Sequence, residues 1–509
     1  MMLKLYPRRL ASACLFMGVS LLAVAAKAQN TVYGAGSSMV AQVWGQLSNC
    51  YALPSGAYLV KGAPAASVTP LANPHITCSP IATQAIEFDA TGSGAGVNAV
   101  YAHSPAIPLL GSTDAAGATP VYPSIQYALS EIPLTMASVS IYNSGGLIGG
   151  GPIGGGATAM MVTPPGVAPT NPCTIANVSD CQIPNPGERY GALVQFPVAI
   201  VPIAITYNVP GSTNSIKLDT AAYCKIFNGQ ITDWNDAAIT ALNGGSVTGG
   251  SSLPIKLVGR VDSSGATSIF TRHLAAVCGG LVTTNNYSAG TATLPASIVS
   301  SFTLGNGDSR VATVVNATPG AIAYISFSYV LPAVNNTGAN TYNLPTATLQ
   351  NANGDWTLPI AQAASISFAS IAPPQSDASG NYAPGATVNG LRTNPQDWVQ
   401  SSAATAAIAK PTAANAYPIV GTTNFVGYTC YNTQRSVNVL KGFLTFGGGS
   451  QANTILSDAA LAQLPSNWLN AINNTFLLNN GDAALLKLYF AKAGVTGTGC
   501  ASLSSGAGA

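Results

Sequence analysis

Residues 253–277, LPIKLVGRVDSSGATSIFTRHLAAV, leave the backbone few choices. Ile255, Leu257 and Val258 suit a short buried strand, and Ser263, Ser264 and Gly265 a small, flexible turn. Ile269, Phe270, His273, Leu274 and Val277 then recur at helical spacing, which predicts a helix beginning near Ser264. A strand that turns straight into a helix is the building unit of an α/β sheet. The helix start offers unpaired backbone N–H groups and the positive end of the helix dipole, which suits an anion. Arg260 arrives just before it with a rigid fork of donors, and Asp262 is placed to orient that guanidinium. The same residues also fit a plainer role, a capped turn with an exposed Arg–Asp pair.

Two further segments repeat the design, GAGSSM at residues 34–39 and GSGAG at residues 92–96. None of the three carries the Lys-Ser/Thr of a P-loop or completes G-x-G-x-x-G, and a G-x-S-x-G nucleophile elbow is absent. Singly, each is an ordinary strand-to-helix turn. Converging on one point, the three would form a cage of hydroxyls and backbone N–H groups around an oxyanion.

Strand and helix signals alternate along the rest of the chain, which places it in the α/β class. Residues 85–88, 321–330 and 418–428 read as strands, and the near-continuous β-branched run at 193–208 as buried strand. Residues 32–33 end a short strand, the glycines at 34–36 turn, and Ser37 or Ser38 caps a helix. Residues 97–102, 219–227, 235–242, 437–446 and 458–475 read as helices, with one more after Gly481. The glycine-rich run at 145–156 cannot be a stable helix. It places 115–190 as a surface insertion, and the Pro- and Ala-rich span 49–84 reads as a disulfide-tied loop.

Charged residues make up 7% of the chain, against about 25% in ordinary soluble domains. The net charge of +2 supplies no field to draw in nucleic acid. Lys4, Arg8 and Arg9 precede an apolar run at 11–26 and the small-x-small triplet Ala26-Lys27-Ala28, which predicts a secretory signal peptide cleaved after Ala28. Cys14 lies inside that apolar run. The remaining cysteines are Cys50, Cys78, Cys173, Cys181, Cys224, Cys278, Cys430 and Cys500. An even set in an exported chain implies disulfides, and pairing of sequence neighbours is the simplest of about 105 connectivities. No C-x-x-C pair occurs and only three histidines are present, so no metal site and no cofactor are expected.

Several blocks, in order, resemble the periplasmic phosphate-binding protein of the phosphate ABC transporter, a type 2 periplasmic binding protein. YGAGSSMVAQVW resembles the family's G-A-G-x-[ST]-F opening, ATGSGAG its second Gly-Ser turn and GSTDA its G-A-S-D-A motif. LVQFPVAIVPIAITYNVPG, LDTAAYCKIFNGQITDWNDAAITALN and ATPGAIAYISFSYV resemble later strands and helices. GRVDSSGATSIFTRHL resembles R-x-D-G-S-G-T-[ST]-x-x-F-T-x-x-L. YPIVGTTNF and QANTILSDAALAQLP complete the order.

The resemblance implies two α/β lobes with a ligand cleft between them. The first comprises 29–205, with the insertions 49–84 and 115–190, and returns at 371–480; the second spans 206–370, and 481–509 form a C-terminal extension. It also implies a phosphate site. Ser38 and Ser93 would supply hydroxyls, Met39 a backbone N–H where the family has Phe, and Asp114 the carboxylate that accepts the ligand's proton. Arg260 would be the charged donor with Asp262 as its orienting partner, and Ser264 and Gly265 the third turn. Ala266 stands where the family has a Thr hydroxyl, and Ser263 replaces a Gly. The implied function is extracytoplasmic binding of inorganic phosphate or a related oxyanion, by a monomer, without catalysis. The residues fit a carrier serving an ABC permease and a secreted binder alike. A secreted phosphatase and a surface or matrix protein on the same scaffold are the alternatives.

Overall fold

The computed structural model describes residues 30–52, 75–103, 124–148, 152–153, 156–157, 160–172, 182–212, 215–279, 302–331, 343–375, 390–403 and 405–508. The predicted signal peptide, Asp114, Cys173 and Cys181 lie outside them.

An eight-stranded mixed sheet organises the chain. Its strands are β1 (Asn30–Gly36), β2 (Gln84–Asp89), β3 (Tyr127–Ser130), β4 (Leu193–Tyr207), β5 (Lys256–Arg260), β6 (Thr303–Gly305), β7 (Ala321–Ser326) and β8 (Val420–Tyr428). They lie in the order β6-β5-β7-β4-β8-β3-β1-β2. One half, β2-β1-β3, is parallel, and so is the other, β6-β5-β7. The antiparallel neighbours β4 and β8 join the halves. The first part of β4 pairs with β8 and its end, from Ile203, pairs with β7. One continuous strand thus makes a crossing between lobes. The lobe boundary expected at 205/206 falls inside that strand, whose apolar, β-branched run continues to Tyr207.

Four helices matter for the site: α1 (Ala41–Tyr51), α2 (Ser93–Ala102), α3 (Gly265–Val277) and α4 (Gly307–Ala317). Each follows a strand of a parallel half. Behind the first half, Tyr127 stacks on Phe425 at 5.7 Å and Phe425 on Phe196 at 4.9 Å, and the Trp44 indole donates to the Tyr127 hydroxyl at 2.8 Å. Behind the second, Val311, Ala312 and Val315 of α4 pack on Val258, Ala321 and Ala323.

Several local expectations change. β1 runs on through its glycines to Gly36, since Gly34 lies against the Tyr127 ring, where a Cβ would sit 2.2 Å from Cζ. Gly36 itself adopts φ +130°, open to glycine at little cost. α1 starts only at Ala41, without a side-chain cap. The span 115–190 is more than a surface insertion. β3 lies within it, in the middle of the sheet, and only the segments after Ser144 form small separate sheets. The four-residue strand was too short to stand out by periodicity. Residues 458–475 form no single helix: Ser450–Asp458 and Ser466–Ile472 are separated by a turn where Ala460 takes φ +60° and Ala462 bridges to Ile200. After Gly481 the chain makes a short 3-10 turn and the strand Ala491–Lys492, which pairs with Cys430–Tyr431.

Disulfides join Cys50 to Cys78, Cys224 to Cys278 and Cys430 to Cys500, as neighbour pairing predicts. Among the described residues, no helix is long and apolar enough to cross a membrane.

Candidate functional site

In open α/β sheets ligands lie beyond the carboxyl ends of the strands. Here the residues that follow β1, β2, β3, β5, β6 and β7 meet at one place. β1 delivers Ser37 and Ser38, β2 leads to Ser93, and β3 ends beside Glu131. β5 ends on Arg260 and is followed by Asp262, Ser263 and Ser264, while β6 leads to Asp308 in the first turn of α4.

The first lobe's side is a carboxylate ringed by hydroxyls. Ser37 Oγ and Thr423 Oγ1 each donate to Glu131 Oε1 at 2.6 Å, and Ser93 Oγ donates to Oε2 at 2.7 Å. Thr423 sits at the irregularity in the β8–β4 ladder, which turns its hydroxyl onto Glu131. Burial pushes the Glu131 carboxyl above its ordinary value; the three hydroxyls offset part of the rise, and the charge of Asp308 adds to it.

The second lobe's side is an ion-pair network. Arg260 is 1% exposed. Its Nε donates to Asp262 Oδ1 at 2.8 Å and its Nη2 to Asp262 Oδ2. Nη1 donates to Asp308 Oδ2 at 2.5 Å, and Nη2 also reaches Ser38 Oγ at 2.9 Å. Ser38 Oγ in turn donates to Asp308 Oδ2 at 2.9 Å, so this contact bridges the lobes. The backbone N–H groups of Gly307 and Ser326 hold Asp262 and Asp308. Burial would lower the Arg260 pKa, but Asp262 and Asp308 outweigh it and the guanidinium is held charged. Burial likewise opposes ionisation of Asp262, yet Arg260 holds it below the usual carboxylate range.

Six of the nine residues expected at the site therefore come together: Ser38, Ser93, Arg260, Asp262, Ser264 and Gly265. Ser264 caps α3, its Oγ accepting from Thr267 N at 3.3 Å. Gly265 is forced by close approach, since a Cβ there would lie 2.1 Å from Glu131 Oε2 and 2.7 Å from Ser93 Oγ. Met39 is buried, and its N–H donates to Ser37 Oγ at 3.2 Å. Ala266 is buried in the first turn of α3, and the neighbouring Thr267 hydroxyl is engaged with Tyr324 at 2.7 Å. Asp114 is the one expected residue outside the described set. Ser263 Oγ is buried and has no hydrogen-bond partner among the described residues.

Sequence reasoning missed Ser37, Glu131, Asp308 and Thr423. Ser130 ends β3 and Glu131 follows it, a hydroxyl and an acid side by side. Asp308 lies in α4, a helix that the sequence pattern did not predict.

The two described interior histidines serve packing. His273 contacts the Ala409 carbonyl and the Tyr223 hydroxyl, and His103 the Ile125 carbonyl and the Tyr428 hydroxyl. Burial pushes both down to about 4. Among the described residues, no group of three or more His, Cys, Asp or Glu is arranged to hold a metal ion.

The model of a family described as the PBP superfamily domain matches residues 186–447. The chain belongs to the PBP superfamily. Its curated relatives carry two kinds of name. An "Alkaline phosphatase L" of Pseudomonas aeruginosa is 30% identical over 310 residues, 58% of this chain and 70% of that protein. A "Phosphate-binding protein" from an unknown prokaryotic organism is 30% identical over 305 residues, 57% of this chain and 73% of that protein. Among solved structures, the ancestral soluble variant of the human phosphate binding protein aligns with a TM-score of 0.56 at 21% identity, covering 91% of this chain and 99% of that one. That likeness shows the PBP-superfamily fold, two α/β lobes with a cleft between them.

Proposed function

We propose that this protein binds inorganic phosphate outside the cytoplasm, in the interlobe cleft, and performs no chemistry on it. Arg260 carries the reading. It is a buried, fixed cation, oriented by two carboxylates, beside three turns that present hydroxyls and helix-start N–H groups. Such a fork suits a tetrahedral oxyanion. Ser38, Ser93 and Ser264 are the hydroxyl donors in this scheme, with the unpartnered Ser263 Oγ as a further one, and Glu131 accepts the ligand's proton. Asp114 remains a candidate for that last role too. Relatives named as phosphate-binding proteins support the ligand class. A structural neighbour is titled a high affinity periplasmic phosphate-binding protein bound with phosphate, which supports an extracytoplasmic setting. The chain would act as a monomer whose lobes close on the ligand, with an ABC permease as its partner if it serves uptake.

Calorimetric titration of ligand-stripped protein with phosphate tests this. Saturable binding that Arg260→Ala abolishes is expected; no heat and no thermal shift would refute it. The relatives named alkaline phosphatase L favour a second reading, hydrolysis of phosphate esters. Turnover of a generic aryl phosphate by the purified protein, lost on substitution of Arg260, would establish it.

A further inference from the structure

A phosphate cage needs one acceptor for the ligand's proton, and Glu131 supplies it. Asp308 is then a second carboxylate on the opposite wall. Its Oδ2 accepts from Arg260 Nη1 at 2.5 Å and from Ser38 Oγ at 2.9 Å, and its Oδ1 accepts from Ser326 N at 3.2 Å. Two carboxylates, Asp262 and Asp308, thus hold the guanidinium, and a third, Glu131, lies among hydroxyls on the facing wall. Among the described residues, the other titratable groups in contact with this network are phenols. Tyr324 OH accepts from Arg260 N and contacts Thr267, and Tyr329 OH donates to the Ser38 carbonyl. Neither phenol adds positive charge. Asp262 is spent on Arg260 through two N–H groups and on Gly307 N. Glu131 and Asp308 are the two acceptors that face the hydroxyl turns from opposite lobes, bridged by the adjacent Ser37 and Ser38.

We propose that Asp308, paired across the cleft with Glu131, makes this a site for the monoanionic, doubly protonated form of phosphate, one P–OH donating to each carboxylate. The inference rests on the phosphate reading above. It follows from charge and donor count. A dianion would add two charges to a cage already rich in carboxylate, and its single proton could lie against only one of the two carboxylates. An unprotonated ligand oxygen would then face the other carboxylate with lone pairs and negative charge on both sides, so the wrong protonation state is rejected. The Ser263 hydroxyl, 6% exposed and without a partner among the described residues, is a donor in reserve for an unprotonated ligand oxygen.

The test is phosphate affinity from about pH 5 to about pH 9 for wild type and Asp308→Asn, with protons counted by calorimetry in buffers of different ionisation enthalpy. For wild type, affinity should fall about tenfold per pH unit once phosphate becomes a dianion, with about one proton taken up on binding near pH 8. Asp308→Asn removes a charge and can itself donate, so it should flatten that slope and bind more tightly than wild type at the alkaline end. A flat wild-type profile without proton uptake overturns the proposal while leaving phosphate binding intact. Equal weakening of Asp308→Asn at every pH likewise overturns it, by reducing Asp308 to a brace for Arg260. No binding by wild type at any pH instead sinks the phosphate reading itself. The wild-type slope and proton count decide even if the variant fails to fold.

Discussion

On the wall built by β1, β2 and β3, a buried carboxylate meets only hydroxyls, whereas on the wall built by β5, β6 and β7 the carboxylates meet a guanidinium. The difference is one of rigidity. A hydroxyl can rotate its proton from Glu131 to an incoming oxygen and keep one of its bonds. A guanidinium held by two carboxylates is fixed in place and in charge. The first wall can adapt to a ligand's protonation state, and the second sets where a ligand can sit. Their carboxyls also titrate in opposite senses: Glu131 is raised by burial, and Asp262, although buried, is lowered by Arg260.

The strongest way to break the comparison is Arg260→Ala, which strands Asp262 and Asp308 as buried charges without a cation. Loss of one partner from such a network costs about 3–5 kcal/mol of stability, and phosphate affinity should drop by a similar free energy. Thermal unfolding and calorimetry check both. An affinity within about threefold of wild type would remove Arg260 from the site.

Gly265→Ala probes the contact between the walls. The added Cβ would collide with Glu131 and Ser93, so closure should be strained by about 1–3 kcal/mol. The loss should appear mainly in affinity, because an open cleft relieves the clash.

Glu131→Gln sharpens the first wall. The folded Glu131 carboxyl titrates above the ordinary value for a glutamate, so the native state binds the proton more readily than the unfolded chain. Stability from this group is therefore fully present below that value and is lost as pH rises through the raised folded one. The substitution should flatten this slope in denaturant midpoints measured across weakly acidic pH. It should also let sulfate compete with phosphate, because the amide can donate where the carboxylate only accepts.

The smallest effect on the cleft is expected from Cys500→Ser. It frees the tail from Cys430 and should cost about 2–4 kcal/mol of stability. Phosphate affinity should change by less than about twofold, because the tail packs on Tyr431, away from both walls. A large loss of affinity would connect the tail to the site.

The second wall was the more legible in sequence, because its strand, turn and helix follow one another and Arg260, Asp262, Ser264 and Gly265 lie within six residues of each other. The first wall was assembled from afar. Glu131 gathers Ser37, Ser93 and Thr423, and the last is 292 positions away. No periodicity links such residues. β3 was hidden because four residues give no pattern, and the glycine-rich stretch after it made the whole span look peripheral. Asp308 was missed for a different reason: its helix, α4, did not stand out in the sequence, and its bond to Arg260 spans 48 positions.

The central claim is that the hydroxyl wall and the guanidinium wall together hold phosphate. Calorimetric titration of ligand-stripped wild-type protein with inorganic phosphate, repeated on Arg260→Ala, tests it most directly. The account predicts a single saturable site per chain in wild type, with sulfate a weak competitor, and no measurable site in the variant. Absence of binding by folded wild-type protein, or unchanged binding by the variant, would contradict it.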